Sequence, residues 1–377
     1  MRRMIWSVVR VGYAYVVKPL MFRLSPDTAH SRIIASCSAL GRMAVVRWLI
    51  QFVFKRPVDS RLRQNYHGVE FNSPVGLSAG LDKNGEIVPV IASLGFSFGE
   101  VGSVTVDRCE GNPRPWYYRL PKSKSLVVNA GLANQGSKVI IKRLSGYDLK
   151  ITKNFPIILS IAKSNSNKVV STTDGINDYV TTVKRAKNHT YIKMLEINIS
   201  CPNVYGGEPF TTPSNLELLL KAINKVNPSQ PVFIKMPSNL SWNESKKLLD
   251  VVVKHKISGV TIANLAKDRS KVDFKDELPD NIEGNFSGRP AWSDSNELIR
   301  KTYLEFGDRL TIIGVGGIFS ADDAYTKIKL GASLVEFITA LIYCGPQLAS
   351  EINDGLISRL KRDGYTHISQ AIGVDAK

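Results

Sequence analysis

From about residue 70 onward the chain alternates between short unbroken apolar runs and longer stretches whose apolar positions recur with a helical period. Eight runs read as buried strands, at 75–79, 98–104, 156–162, 194–199, 232–236, 259–264, 310–315 and 334–339. Between them lie helix candidates at 175–186, 215–226, 244–254, 295–306 and 321–330, one opened by Ser241 and Glu244 in capping-box spacing. Eight successive strand–helix units predict an α/β chain folded as a (β/α)8 barrel. A doubly wound sheet is the alternative; the number of units and the Gly-rich ends of the late strands favour closure.

The pattern before residue 64 is different. Helical periods run over 4–22, from Pro26 to about 40, and over 44–54, and Lys55-Arg56-Pro57-Val58 ends the series with a proline stop. We therefore expect two parts: residues 1–63 as a small helical domain and residues 64–377 as the barrel. Of the net charge of +17, the first 63 residues hold twelve Lys or Arg against Asp27 and Asp59, a local +10. The same segment carries Trp6, Tyr13, Tyr15, Phe22, Trp48, Phe52 and Phe54. Cations interleaved with aromatic and aliphatic residues describe a surface that rests on anionic lipid. Nucleic acid is disfavoured as the partner, because long apolar faces do not suit a phosphate-binding surface. A spanning helix is disfavoured too: Arg10 and Lys18 interrupt the 5–22 run, and about 20 mostly apolar residues are needed to cross. The expectation is peripheral attachment to the cytoplasmic side of a bacterial inner membrane. The mitochondrial inner membrane is the second choice, since no long transit peptide precedes the helices.

Cys37, Cys109, Cys201 and Cys344 are scattered, and no CxxC or HxxxH spacing predicts a metal site. One of them stands out. In Asn198-Ile199-Ser200-Cys201-Pro202-Asn203 a thiol and two amides follow the fourth apolar run, at the end of a strand where barrels do chemistry. A thiol there can serve as base or nucleophile, and flanking carboxamides can donate and accept hydrogen bonds to a polar ring. Asn129 and Asn264 add two more amides near strand ends. The first strand ends in Ala79-Gly80-Leu81-Asp82-Lys83, small residues beside a cation. Lys235 lies inside the fifth apolar run, where a buried charge must find a partner. Strand seven ends in Gly314-Val315-Gly316-Gly317 and strand eight near Thr339, the positions where barrels bind phosphate through backbone N–H groups. Ser287-Gly288-Arg289-Pro290, read as a loop before the next helix, can complete that cradle.

Together these segments resemble the dihydroorotate dehydrogenases. The landmarks are residues 76–86, 100–105, Gly111-Asn112-Pro113-Arg114-Pro115 with Arg119-Leu120-Pro121, residues 198–203, Asp268-Arg269-Ser270, 287–290 and 313–318. Phe22-Arg23-Leu24-Ser25-Pro26-Asp27 and Ala29-His30 resemble the N-terminal helices of the membrane-associated, quinone-using class 2. The resemblance implies oxidation of dihydroorotate to orotate in pyrimidine biosynthesis, with FMN as cofactor and a quinone as electron acceptor. By position it makes Cys201 the base and Lys83, Asn129, Asn198, Asn203 and Asn264 the substrate contacts. FMN would meet Ala79, Gly80, Lys83, Ser103, Ser160, Asn198, Lys235, Ser287, Gly288, Gly316, Gly317 and Thr339. The chain departs from class 2 at Cys201, where that class carries Ser, and at Ser160, Val204 and Leu265, which look like class 1. Residues 128–134 run one residue short of the class 2 pattern, which leaves Asn129 and Asn134 as alternatives for one contact. The same oxidation with fumarate or another soluble acceptor, or chemistry on a different pyrimidine, stands as the alternative.

Overall fold

The computed structural model describes residues 2–55, 57–201, 205–272, 274–279 and 281–377. Eight parallel strands close on themselves in chain order: Val75–Leu77, Phe98–Val104, Ile157–Ala162, Ile192–Asn198, Val232–Lys235, Gly259–Ile262, Thr311–Val315 and Leu334–Phe337. Closure is made by the eighth strand pairing with the first, Val335 opposite Val75, so the doubly wound alternative is excluded. All eight apolar runs supply a barrel strand. The first, sixth and eighth strands stop two residues earlier than the apolar pattern reads, and Thr339 opens the helix Thr339–Cys344 instead of ending a strand.

Side chains two apart on a strand share a face, and this alternation builds the interior in layers. Phe98, Ile158, Met194, Phe233, Ile313 and Leu334 form a buried apolar layer with Val69 and Phe71. The last two come from a hairpin, Gln64–Tyr66 against Val69–Phe71, that plugs the amino-terminal end of the barrel. Its turn is His67-Gly68, both at positive φ (53° and 80°), the conformation a two-residue hairpin turn requires. One step up, six of the eight strands turn polar in the interior: Glu100, Ser160, Glu196, Lys235, Thr261 and Glu336 are all buried there. Asn198, a further step along, stands at the mouth.

The helices that follow the strands face the barrel with apolar stripes. In Pro213–Val226 the buried positions are Leu216, Leu219, Leu220, Ile223 and Val226, the spacing of one helix face. Ser171 with Asp174 and Ser241 with Glu244 form capping boxes at two helix starts.

The carboxyl end of the barrel is covered by two additions. A three-stranded antiparallel sheet joins Tyr117–Leu120, Ser125–Val128 and Asn285–Gly288. Ser287 and Gly288 therefore lie on a strand, opposite Leu126 and Ser125, and not in the loop read from the sequence. Four residues with one buried aromatic, Phe286, are too short a run for alternation to register. Over this sheet lie the N-terminal helices. Arg2–Gly12 continues through Tyr13–Val17 into Lys18–Phe22; Pro26–Gly41 and Ala44–Phe54 follow. They are tied to the barrel by Tyr13, whose hydroxyl donates to Ile342 O at 2.8 Å, and by Asp27, which accepts from Trp116 N at 3.2 Å. The Arg119 guanidinium donates to Leu24 O at 2.8 Å and stacks 4.5 Å over the Phe22 ring. Among the described residues no single helix is long and apolar enough to cross a membrane; Pro26–Gly41 and Ala44–Phe54 meet that test only as a pair bent by 108°.

Candidate active site

Between the barrel mouth and the N-terminal helices lies a cavity of about 730 Å³. Its floor is built from strand ends. Lys235 Nζ reaches it from the fifth strand and bonds Glu100 Oε2 at 3.3 Å and Glu196 Oε1 at 3.4 Å. Burial works against the Lys235 ammonium, but the carboxylates of Glu100, Glu196 and Glu336 outweigh it and hold the amine charged. Ala79 N donates to the same Glu100 oxygen at 2.8 Å, which ties the loop after the first strand to this charge layer. That loop is shaped by Asp82, which accepts from Glu86 N at 2.7 Å and Ile87 N at 2.9 Å. Burial raises the Asp82 carboxyl to about 6.

Cys201 lines the cavity, and the residue before it is locked by two of the expected amides. Ser200 N–H donates to Asn198 Oδ1 at 3.2 Å, and Asn264 Nδ2 donates to Ser200 O at 2.6 Å and Oγ at 3.0 Å. Asn198 Nδ2 donates to Ser103 Oγ at 2.8 Å. Asn198 and Asn264 thus face the cavity with orientations fixed by the protein. Lys83 enters from the side, donates to the Tyr117 hydroxyl and lies 3.4 Å from His30 Nε2. Burial, with Lys83 and Arg114 nearby, holds the His30 imidazole down at about 3, so it is neutral through the physiological range.

A recess of about 90 Å³ continues from the floor, lined in part by Ser287, Gly288, Gly316, Gly317 and Thr339. Lys235 and Ala79 line both spaces, and Gly80 lines the larger one. Thr339 Oγ1 donates to Ser287 Oγ at 2.8 Å. Gly316 and Gly317 sit at φ 107° and 75°, a region that L side chains rarely enter. Small residues and hydroxyls around a pocket of this size suit an anionic group bound by strand-seven and strand-eight loops.

The structure therefore brings together Cys201, Lys83, Asn198, Asn264, Ala79, Gly80, Ser103, Lys235, Ser287, Gly288, Gly316, Gly317 and Thr339. Ser160 is fully buried one layer below, its hydroxyl 2.9 Å from that of Ser103. Asn129 is not brought to the cavity: its Oδ1 accepts from Asn112 at 2.7 Å and its Nδ2 reaches Glu283 at 3.4 Å. Asn134, the alternative, is buried and bonds Thr105 Oγ1 and Leu132 O, each at 2.8 Å. Asn203 and Val204 lie outside the described residues. Sequence reasoning missed Tyr117 as a Lys83 partner, and Lys163, whose buried amine donates to Tyr205 O at 3.0 Å and Val169 O at 3.2 Å and so anchors the segment beyond Cys201. Lys163 carried a usable signal, because it ends an apolar strand just as Lys235 does.

Polar groups converging on the carboxyl ends of a closed parallel barrel define a (β/α)8-barrel enzyme. The family model described as dihydroorotate dehydrogenase matches residues 61–360. A Deinococcus deserti protein named dihydroorotate dehydrogenase (quinone) is 35% identical over 379 residues, covering 97% of this chain and all of the relative. One of the same name from Rippkaea orientalis is 34% identical over 94% of this chain and 95% of its own length. The crystal structure of the Eimeria tenella enzyme in complex with ferulenol superposes with a TM-score of 0.81 at 26% identity, covering 94% of this chain and 96% of that one. The chain belongs to the dihydroorotate dehydrogenase family, with the architecture of class 2.

Proposed function

We propose that this chain oxidises dihydroorotate to orotate in de novo pyrimidine (UMP) biosynthesis, with FMN bound at the barrel mouth and a membrane quinone as electron acceptor. One observation carries the reading. The cavity runs without a break from a polar end, with Cys201, Asn198, Asn264, Lys83 and Lys235, to an apolar end lined by Val9, Val17 and Ile33 of the N-terminal helices and by Val90 and Leu94 of the barrel part facing them. A polar ring and an apolar electron acceptor thus have separate places in one space.

The residues present fit FMN. The glycine-lined recess suits its phosphate, with Ser287 and Thr339 hydroxyls at hand. Lys235 stands between recess and main cavity, where a cation stabilises negative charge on a reduced ring. When bound, FMN supplies the hydride acceptor. Cys201 takes the proton from C5 of the substrate; a thiol ionises near pH 8.5 in the free state, so its conjugate base is accessible near neutrality. Asn198 and Asn264 hold the pyrimidine ring edge, joined by Asn203 from its place in the motif, and Lys83 counters the substrate carboxylate. Asn129 is given no role.

Attachment to the cytoplasmic membrane face through residues 1–63 is part of the proposal. Trp48 and Phe52 stack at 5.8 Å, yet they remain 61% and 55% exposed, and Val45 beside them 67%. Solvent gives such a patch no partner; the apolar–headgroup boundary of a bilayer does. The test is direct. The purified protein should release FMN on denaturation, and protein reduced by dihydroorotate should be reoxidised by a soluble quinone analogue and not by fumarate. Reoxidation by fumarate alone would overturn the acceptor.

A further inference from the structure

The polar layer inside the barrel has more carboxylates than its one cation needs. Glu100, Glu196 and Glu336 come from the second, fourth and eighth strands and surround Lys235 of the fifth; the other four strands bring no titratable side chain. Lys235 bonds Glu100 and Glu196. Glu336 lies against Glu100, fully buried, and among the described residues neither of its oxygens meets a donor; Glu100 Oε1 and Glu196 Oε2 also lack one there. A carboxylate buried among carboxylates is costly, and a proton between two of them converts repulsion into a hydrogen bond. Burial first, then Glu196, raises the Glu100 carboxyl to about 8, and burial with Glu100 beside it raises Glu336 well above the carboxylate range. Glu196 moves the other way, since Lys235 and hydrogen bonds outweigh its burial.

This layer also has a route to the cavity. Ser103 lines the cavity, its Oγ lies 2.9 Å from Ser160 Oγ, and Ser160 donates to Glu196 Oε1 at 2.8 Å. Glu196 in turn lies directly against Glu100, so a proton delivered to Glu196 can pass to the pair without Lys235 giving up its charge. Two hydroxyls in series can pass a proton, each accepting one as it gives up its own.

We propose that Glu100 and Glu336 form a proton-loading site inside the barrel, which takes a proton from the cavity through Ser103 and Ser160 when negative charge accumulates beside Lys235. The proposal rests on the reading that a flavin binds against Lys235. The balance is simple: one proton leaves bulk water, one carboxylate of the pair becomes a carboxylic acid, and no electron moves within the layer. When the ring is reoxidised and its negative charge disappears, the same proton returns. The enzyme thus offsets negative charge at the flavin site with a carboxyl pair in the same layer as the cation that faces that site.

The test is proton uptake during anaerobic electrochemical reduction of the purified holoenzyme, read with a pH-indicator dye in weakly buffered solution. At mildly alkaline pH the wild type should take up about one proton more per flavin than Glu336→Gln, the difference vanishing at acid pH where the site is already loaded. Ser160→Ala should slow the uptake and leave its final amount unchanged. The reduced-minus-oxidised infrared spectrum of the wild type needs no variant, and should gain the carbonyl stretch of a protonated carboxylic acid. Equal uptake in wild type and Glu336→Gln, or no gain of that band, overturns the loading site while leaving the proposed reaction standing. A purified protein without flavin overturns both.

Discussion

The two ends of the cavity solve opposite problems. At the barrel end the polar side chains that face the cavity are buried or half-buried and held by the fold: Asn198 and Asn264 around Ser200, Lys235 between Glu100 and Glu196, Lys83 on Tyr117. At the helical end apolar side chains are exposed: Val17 and Ile33 line the cavity and are 46% and 41% open, and outside it on the same helices Trp48, Phe52 and Val45 are more than half open. Burying polar groups demands exact partners within the fold, because an orphaned group costs free energy. Exposing apolar groups demands a partner outside it. One end therefore suits a polar ring, and the other carries the surface for which we propose an apolar phase as partner.

This contrast can be broken from either end. The largest effect should come from Cys201→Ala, which removes the proposed base and should slow reduction of bound flavin by dihydroorotate by about two to four orders of magnitude in stopped-flow, with flavin content unchanged. Next is Lys235→Met. It leaves Glu100 and Glu196 buried without their counter-charge, and urea unfolding should show a loss of about 3–5 kcal/mol; a loss below about 1 kcal/mol would mean the layer is not held by this cation.

A third test uses His30, at the seam between the two ends. Its folded-state value of about 3 lies below the ordinary 6.5, so the unfolded chain binds the extra proton first. The stability owed to neutral His30 is complete above pH 6.5 and declines as pH falls toward 3, by up to about 1.4 kcal/mol per unit. His30→Gln should flatten that part of the stability–pH curve; an identical slope would contradict the assignment. The smallest effect on stability belongs to Trp48→Ser with Phe52→Ser, within about 0.5 kcal/mol by thermal unfolding for each exposed site. The same pair should abolish co-sedimentation with anionic phospholipid vesicles, and retained sedimentation would remove the membrane contact from that face.

The barrel was legible because its signal is local and repeated: an apolar run is an apolar run whether or not its neighbours are known. Lys235 and Cys201 were legible for the same reason, each being chemically out of place at a strand end. The small sheet over the mouth was not, because Asn285–Gly288 is a strand only by virtue of Ser125–Val128 opposite it. Asn129 shows the limit most clearly. Its position in the motif puts it near the mouth, but which way its amide turns is decided by Asn112 and Glu283, distant in sequence. The excess of buried carboxylates was equally hidden, since Glu100, Glu196 and Glu336 meet only when the barrel closes.

The central claim is that one cavity serves two half-reactions from its two ends. Ile33 lines the cavity from the N-terminal helix Pro26–Gly41, whereas Cys201 lines it from the barrel, so Ile33→Trp is the substitution aimed at the apolar end. Measured separately under anaerobic conditions, flavin reduction by dihydroorotate should proceed at the wild-type rate, and reoxidation by a quinone analogue should slow by about tenfold or more, a barrier increase of ~1.4 kcal/mol. Equal slowing of both steps, or of neither, would contradict the division of the cavity on which the account depends.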